Sequence, residues 1–90
     1  MNRTSSILPP VTLFTLPYCP DCRDLRRYLT ERAVPFTDID VATTLGGVDE
    51  MLRANGGRRS APTVRIGTQA LVDPDRATLT SALRAAGYPV

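Results

Sequence analysis

The sequence contains no histidine and only two cysteines, Cys19 and Cys22. A closed structural zinc site takes four ligands, usually drawn from cysteine and histidine. One copy of this chain does not supply that set, so zinc binding would require two copies. The remaining alternatives are an inert buried pair of thiols and a redox pair, and the surrounding sequence must decide between them.

Long apolar runs are also missing. Pro9, Pro10 and Pro17 interrupt the apolar residues near the N-terminus, whereas a secretion signal has an unbroken apolar core. No segment approaches the run of about 20 apolar residues that spans a bilayer. We therefore expect a cytoplasmic protein with no membrane partner. In that reducing compartment a permanent structural disulfide is unusual. This favours the interpretation of the two cysteines as redox-active thiols.

Neither sign of charge is in large excess, because 11 basic residues stand against 9 acidic ones. The resulting net charge of +2 gives no indication of nucleic-acid binding. A chain of 90 residues, of which 42% are hydrophobic, is typical of one globular domain. We expect a loose lead-in over residues 1–10 and a single domain over residues 11–90.

Hydrophobic periodicity predicts three elements in the first half of the chain. Residues 11–16 are short, β-branched and aromatic, as in a buried strand. Residues 20–33 carry apolar or sulfur-bearing side chains every three or four positions, which predicts an amphipathic helix. The shared face comprises Cys22, Leu25, Leu29 and Ala33. Residues 34–41 alternate in part and predict a second strand.

The second half begins with a predicted helix whose inner face carries Leu45, Val48 and Leu52, supported by Met51. The Asn-Gly-Gly sequence at residues 55–57 should end it, while the Gly46-Gly47 pair weakens its beginning.

Two short segments, residues 62–67 and 69–72, are separated by one residue and predict a β-hairpin. Either Asp73 or Asp75 can cap a final helix. Its inner face would carry Leu79, Leu83 and Ala86, before Gly87 ends it.

The predicted order of elements is therefore βαβαββα, in an α/β fold. A right-handed crossover makes the first two strands parallel. The hairpin then completes a four-stranded mixed sheet covered by helices.

The cysteines lie where the first strand leads into the first helix. Cys19 falls in the loop and Cys22 one turn inside the helix, a spacing that places them about 5 to 6 Å apart and permits a reversible disulfide. Unpaired N–H groups and the positive end of the helix dipole should lower the pKa of Cys19 below the ordinary value of about 8.5. Cys19 is the predicted nucleophile and the buried Cys22 the predicted resolving thiol. Pro20 suits the first helical turn, while the charge of Asp21 opposes a thiolate.

Several segments together resemble the glutaredoxins of the thioredoxin fold. They are TLFTLPYCPDC, the arginine-rich helix after it, and RRSAPTVRIG before the hairpin. Within that group, NGGRRSAPTVRIG and LVDPD look most like mycoredoxin, from bacteria that use mycothiol in place of glutathione. The resemblance extends over nearly everything after Pro10.

The resemblance implies that Pro62 is a cis-proline opposite the cysteines and that the Ala61 backbone pairs with an extended substrate. It also implies substrate contacts from Tyr18, Pro20 and Asp73. Arg58 and Arg59 either hold a ligand carboxylate or are solvated loop side chains.

Two features depart from the glutathione-using members. Leu16 stands where a lysine is common, and residues 72–75 replace a Gly-Gly pair that is followed by Ser or Cys and Asp. The residues that usually bind the carboxylates of glutathione are therefore not evident.

The implied activity is that of a thiol-disulfide oxidoreductase with no bound cofactor. It would reduce mixed disulfides between proteins and a low-molecular-weight thiol, with mycothiol or glutathione as the reducing co-substrate. One alternative is a hydrogen donor to ribonucleotide reductase, recharged by thioredoxin reductase, although LVDPD replaces the SGF-type segment usual in that group. Another is a dimer that binds an iron-sulfur cluster, although such proteins more often keep a single active-site cysteine.

Overall fold

A computed structural model describes residues 8–57 and 61–90. Seven elements follow one another in the predicted order: β1 (Val11–Thr15), α1 (Pro20–Glu31), β2 (Thr37–Asp40), α2 (Gly47–Ala54), β3 (Thr63–Ile66), β4 (Gln69–Val72) and α3 (Arg76–Ala85). The strand order within the sheet is β2-β1-β3-β4. β1 and β2 are parallel, whereas the β1–β3 and β3–β4 pairs are antiparallel. The predicted mixed sheet of four strands is confirmed.

The two faces of the sheet support cores of unequal size. Helices α1 and α3 cover the larger core, which contains eleven buried residues including Leu13, Leu29 and Leu83. Helix α2 covers a smaller cluster of Phe14, Val41 and Met51. All five residues of β1 are buried because this central strand contributes side chains to both cores.

Helix α1 ends earlier than predicted. Ala33 adopts a left-handed conformation (φ 57°) and is exposed, so it does not share the inner face of the helix. The N–H of Val34 donates to the carbonyl of Leu29, which reverses the chain and buries Val34 in the larger core. β2 consequently begins only at Thr37 rather than at Val34.

Helix α2 begins later than predicted, and the expectation that Leu45 lies on its inner face is wrong. Leu45 is fully exposed. Gly46 occupies the N-cap in a left-handed conformation (φ 78°), and Gly47 opens the helix. A Cβ at Gly47 would lie 3.1 Å from the Cα of Val41, directly after β2, and 3.2 Å from the Cγ2 of Ile39 in β2, so this close approach favours glycine here.

Asp75, rather than Asp73, caps α3. Its Oδ1 accepts the backbone N–H of Thr78 at 2.7 Å. Leu79 and Leu83 are fully buried as predicted. The helix ends at Ala85, and Gly87 follows at φ 103°, in the region that favours glycine.

Residues 8–10 contact the rest of the domain ahead of β1. The hydroxyl of Tyr88 donates to the carbonyl of Pro9 at 2.5 Å, and the N–H of Gly67 donates to the carbonyl of Pro10 at 2.9 Å. The other part of the predicted lead-in, residues 1–7, lies outside the described residues. In the two described ranges, no helix has the length and apolar character needed to cross a membrane.

Candidate active site

Cys19 and Cys22 are joined by a disulfide at the N-terminus of α1. Their Cα atoms are 5.2 Å apart, within the usual range for a disulfide. The sequence placed both cysteines correctly, one before the helix and one in its first turn.

Cys19 is the N-cap residue of α1, and its backbone is extended (φ −102°, ψ 107°). Its Sγ accepts the backbone N–H of Cys22 at 3.1 Å, and its carbonyl accepts the N–H of Arg23 at 3.1 Å. Pro20 follows at the first helical position, where its missing N–H would have had no intrahelical partner. Cys19 is partly exposed, whereas only 1% of the Cys22 surface is accessible. The two cysteine residues therefore differ in exposure, as predicted.

Packing and polar contacts hold α1 against the sheet. Leu25 and Leu29 continue the buried stripe below Cys22. On the neighbouring surface, Arg26 Nε donates to Asp38 Oδ2 at 2.5 Å. The other oxygen of Asp38 accepts the hydroxyl of Thr15 at 2.9 Å. These contacts tie α1, through Asp38 of β2, to the end of β1, directly before the loop that carries Cys19.

A second set of contacts joins α1 to α3. Arg76 donates to the two carboxylate oxygens of Asp24 at 2.7 and 3.3 Å. These hydrogen bonds lower the pKa of Asp24 and raise the pKa of Arg76. The guanidinium groups of Arg32 and Arg76 lie 5.2 and 5.3 Å from the centre of the Tyr28 ring, whose hydroxyl hydrogen-bonds to Thr80.

The sequence analysis did not find this inter-helix network. The available signal was an arginine at the start of α3 with aspartates on α1, but sequence spacing alone does not show which residues meet across 52 positions.

Strand register brings two further segments to the end of the sheet where the disulfide lies. Phe14 pairs with Thr63 at the end of the β1–β3 ladder, so residues 61 and 62, directly before β3, lie at the end of the sheet where β1 leads towards Cys19. The Ala61–Pro62 peptide is cis, as the resemblance implies, and Pro62 is buried. The carbonyl of Pro62 accepts the N–H of Asp73 at 2.8 Å, which brings the chain after β4 to the same end.

Apolar side chains are exposed around this end of the sheet. Tyr18, directly before Cys19, is 96% exposed and has a left-handed backbone (φ 60°). Leu16 and Val72 are 43% and 40% exposed. Asp73 also has a left-handed backbone (φ 46°). Of the predicted substrate-binding residues, Arg58 and Arg59 lie outside the described residues.

A groove with a volume of about 420 Å³ lies between α1 and the segment after β4. Its charged lining consists of Asp21, Asp24, Asp73, Asp75 and Arg76. The N–H of Thr78 lowers the pKa of Asp75 by hydrogen bonding to its carboxylate. The sequence analysis treated these aspartates one at a time. PDCRD and VDPDR each contain two aspartates, but the sequence does not show that these two segments meet.

A larger cavity, with a volume of about 550 Å³, contains no thiol and has a mostly apolar lining that includes Leu8, Phe36 and Tyr88. Burial raises the pKa of the Tyr88 hydroxyl. Within the described ranges, no three side chains of the metal-ligating types form a cluster that could hold a metal ion.

Comparison with known proteins places this geometry in context. A family model described as Glutaredoxin matches residues 11–71. No curated protein sequence matches the chain significantly.

Three solved glutaredoxin structures are similar to the chain. A glutaredoxin from Archaeoglobus fulgidus is 19% identical, with a TM-score of 0.75; the match covers 93% of this chain and 96% of that one. Wheat glutaredoxin is 26% identical, with a TM-score of 0.66 and coverage of 88% and 83% respectively. A buckwheat glutaredoxin-glutathione complex is 18% identical, with a TM-score of 0.65 and coverage of 97% and 90%. The structure described above thus has the thioredoxin-like α/β fold of these proteins.

Proposed function

The chain belongs to the glutaredoxin family, and we propose that it is a cytoplasmic thiol-disulfide oxidoreductase that reduces mixed disulfides between proteins and a low-molecular-weight thiol. We propose mycothiol as that thiol, with glutathione as the second candidate. The proposed partners are this small thiol and the thiolated or disulfide-bonded proteins. Cys19 is the proposed nucleophile and Cys22 the proposed resolving thiol.

The observation that carries this proposal is the N-cap position of Cys19. The Sγ of Cys19 accepts the N–H of Cys22 at 3.1 Å, and the residue is partly exposed. After reduction of the disulfide, a thiolate at this position would be stabilised by the same N–H and by the positive end of the helix dipole. The buried Cys22 has no comparable access to a substrate.

Each exchange in the proposed reaction breaks one S–S bond and forms another, so the electrons balance at every step. The Cys19 thiolate attacks the small-thiol sulfur of the mixed disulfide, and the protein sulfur leaves as a thiolate. A second small-thiol molecule, as its thiolate, then attacks the small-thiol sulfur bonded to Cys19. This step releases the oxidised small-thiol dimer and restores the Cys19 thiolate. In the alternative second step, Cys22 loses its proton and attacks Cys19, forming the Cys19–Cys22 disulfide and releasing the small thiol.

Mycothiol is favoured by the sequence resemblance and by the groove beside the disulfide. Leu16 stands where glutathione-using relatives commonly carry a lysine, and Asp73, which lines the groove, stands where they carry a glycine. A lost positive charge and an added carboxylate both oppose the binding of a ligand that itself carries carboxylates. Glutathione remains the second candidate because the buckwheat relative was solved with it.

A coupled reduction assay with three electron sources tests this proposal. The protein is given one mixed-disulfide substrate with mycothiol and its reductase, with glutathione and its reductase, or with thioredoxin reductase. We expect the fastest turnover with mycothiol. Turnover only with thioredoxin reductase would instead support the hydrogen-donor alternative, and no turnover with any source would contradict an oxidoreductase function.

The buried position of Cys22 next to Cys19 specifically favours a second candidate function in the same class. A pair that closes a disulfide can reduce a protein disulfide without a small thiol, as a hydrogen donor to ribonucleotide reductase must. Incubation of the reduced protein with oxidised ribonucleotide reductase tests this candidate. Stoichiometric formation of the Cys19–Cys22 disulfide is the expected result if it is a donor.

A further inference from the structure

We propose that the end of the molecule around the disulfide docks a polypeptide whose disulfide-bonded cysteine is flanked by lysine or arginine. This inference rests on the proposed function and names the protein substrates that the same site prefers. It follows from an apolar rim and an acidic groove that lie side by side at the disulfide.

The apolar rim consists of Leu16, Tyr18 and Val72. The described residues include four exposed large apolar side chains, and these are three of them. The fourth is Leu45, in the turn before α2. Exposed apolar side chains bordered by polar groups are typical of surfaces that contact another protein. Clustering at the reactive sulfur indicates that the protein contacted there is the substrate.

The acidic groove begins where the rim ends. Asp21, in α1, comes three residues after Tyr18, and Asp73 comes directly after Val72. The same two chain segments therefore contribute to the apolar rim and to the acidic groove. Of the groove's four aspartates, Asp24 forms an ion pair with Arg76. The charge of Arg27 also lowers the pKa of Asp24. Asp75 is occupied as a helix cap but keeps its negative charge. Within residues 8–57 and 61–90, the side chains of Asp21 and Asp73 make no ion pair.

Charge complementarity therefore selects the occupant. A lysine or arginine side chain next to the reacting cysteine can reach the carboxylates of Asp21 and Asp73, while neighbouring apolar residues contact Tyr18. A segment with glutamate at the same position would be repelled. Such complementary charges act mainly on the rate of encounter and on the choice between partners.

In the proposed reaction the protein reduces a disulfide-bonded peptide directly. The Cys19 thiolate attacks one peptide sulfur, the peptide S–S bond breaks, and the other peptide leaves as a thiolate. Cys22 then loses its proton and attacks Cys19, which releases the second peptide as a thiolate. Two electrons pass from the protein to the peptide dimer, so pre-reduced protein performs one turnover without another reductant.

The test compares two disulfide-linked peptide dimers that differ only in the residues flanking the cysteine, which are lysine in one dimer and glutamate in the other. Pre-reduced protein, freed of reductant, is mixed with each dimer at low ionic strength. The reaction is quenched by alkylation and measured by mass spectrometry. Flanking charges also alter the intrinsic reactivity of a disulfide. Each rate is therefore divided by the rate of the same dimer with dithiothreitol.

We expect the normalised rate to be about tenfold higher for the lysine dimer, within the range of electrostatic steering. In 1 M salt, where charges are screened beyond about 3 Å, the ratio should fall to near one. Asp73→Asn should reduce the low-salt ratio about two- to threefold, and adding Asp75→Asn should reduce it further. Asparagine tolerates the left-handed backbone at position 73 and also caps helices, so both changes keep the local structure.

Asp49→Asn is the matched control. It removes the same charge from an exposed position in the first turn of α2, outside the groove, so the ratio should stay at the wild-type value. Tyr18→Asn should slow the reduction of both dimers by a similar factor, because the rim does not distinguish their charges.

Equal normalised rates for the two dimers, or a ratio that the double variant leaves unchanged, would overturn the docking inference while leaving the oxidoreductase function intact. Failure of the pre-reduced protein to reduce either dimer or hydroxyethyl disulfide would instead count against the proposed function itself.

Discussion

The loop that ends at Cys19 and the first turn of α1 that contains Cys22 surround the two sulfurs of one disulfide differently. The loop is exposed, and Tyr18 projects almost entirely into solvent. The first turn is anchored, because Cys22 is 1% exposed and lies above Leu25 in the larger core. Only two residues lie between the cysteines, and Cys19 is the N-cap of α1 whereas Cys22 lies in its first turn.

The comparison shows how one helix can assign two chemical roles. The N-cap position faces unpaired N–H groups, which stabilise negative charge. The position one turn later faces the core, where burial disfavours a thiolate. This difference supports the proposed roles, in which Cys19 attacks the substrate and Cys22 releases Cys19.

Cys19→Ser should cause the largest loss of activity, because it removes the proposed nucleophile. We expect reduction of both a small-thiol mixed disulfide and a protein disulfide to fall to background, because a hydroxyl does not replace the thiolate nucleophile. Initial rates on the two substrates measure the effect. Retention of more than a small fraction of either activity would contradict the assignment.

Cys22→Ser should separate the two activities. Reduction of a mycothiol mixed disulfide needs only one nucleophile, so substantial activity should remain when free mycothiol is supplied. With a disulfide-bonded protein substrate, the variant should accumulate a covalent adduct, because no resolving thiol frees Cys19. Mass spectrometry of the products distinguishes these outcomes. If the variant is as inactive as Cys19→Ser on the mixed disulfide, a strictly dithiol mechanism becomes the better account.

Leu29→Ala should weaken the packing that anchors α1 to the larger core. Leu29 is fully buried two turns below Cys22, so truncation should lower the free energy of unfolding by about 2 to 5 kcal/mol. Urea denaturation followed by circular dichroism measures this loss. Glu31→Ala, at an exposed position on the same helix, is the control and should change stability by less than about 0.5 kcal/mol. Equal effects from the two variants would show that the larger core does not anchor α1.

Asp75 provides an oxygen cap for comparison with the sulfur cap at Cys19. Its pKa is lowered because the carboxylate accepts the N–H of Thr78. A depressed pKa in the folded state contributes stability above the unfolded pKa, and this contribution is lost as the pH falls through the folded pKa. Asp75→Asn keeps a capping oxygen but does not titrate. The wild type should therefore lose more stability than the variant between about pH 5 and pH 2. Parallel pH profiles of urea midpoints would contradict this role of the charge.

Asp21→Asn should have the smallest effect of these changes, a shift in the pKa of Cys19. Asp21 lies in the first turn of α1, where its negative charge opposes the thiolate. Removal of the charge should lower the pKa of Cys19 by a fraction of a unit, as measured by absorbance at 240 nm against pH. An upward shift would show that Asp21 stabilises the thiolate.

Much of the fold was predictable from local patterns. The stripe through Leu25 and Leu29 predicted α1, and the pair Leu79 and Leu83 predicted the inner face of α3. The start of α2 was not predictable in the same way. Leu45 fits a helical spacing, but the chain needs Gly47 against Val41, and only the tertiary structure shows that close approach.

The candidate site was predictable where its residues are close in sequence. Cys19, Pro20 and Cys22 fall within one helical turn, so strand and helix patterns located them. The cis conformation of Pro62 came from the family resemblance rather than from any local rule. The groove could not be predicted because it joins residues 21 and 24 to residues 73–76 across the fold.

Mapping of alkylation in the reduced protein tests most directly the claim that Cys19 is the nucleophile. The protein is treated briefly with less than one equivalent of iodoacetamide over a range of pH, and peptide mass spectrometry locates the label. We predict that the label falls almost entirely on Cys19, with an apparent pKa below the ordinary cysteine value of about 8.5. Equal labelling of the two cysteines, preferential labelling of Cys22, or a Cys19 pKa at or above the ordinary value would contradict the account.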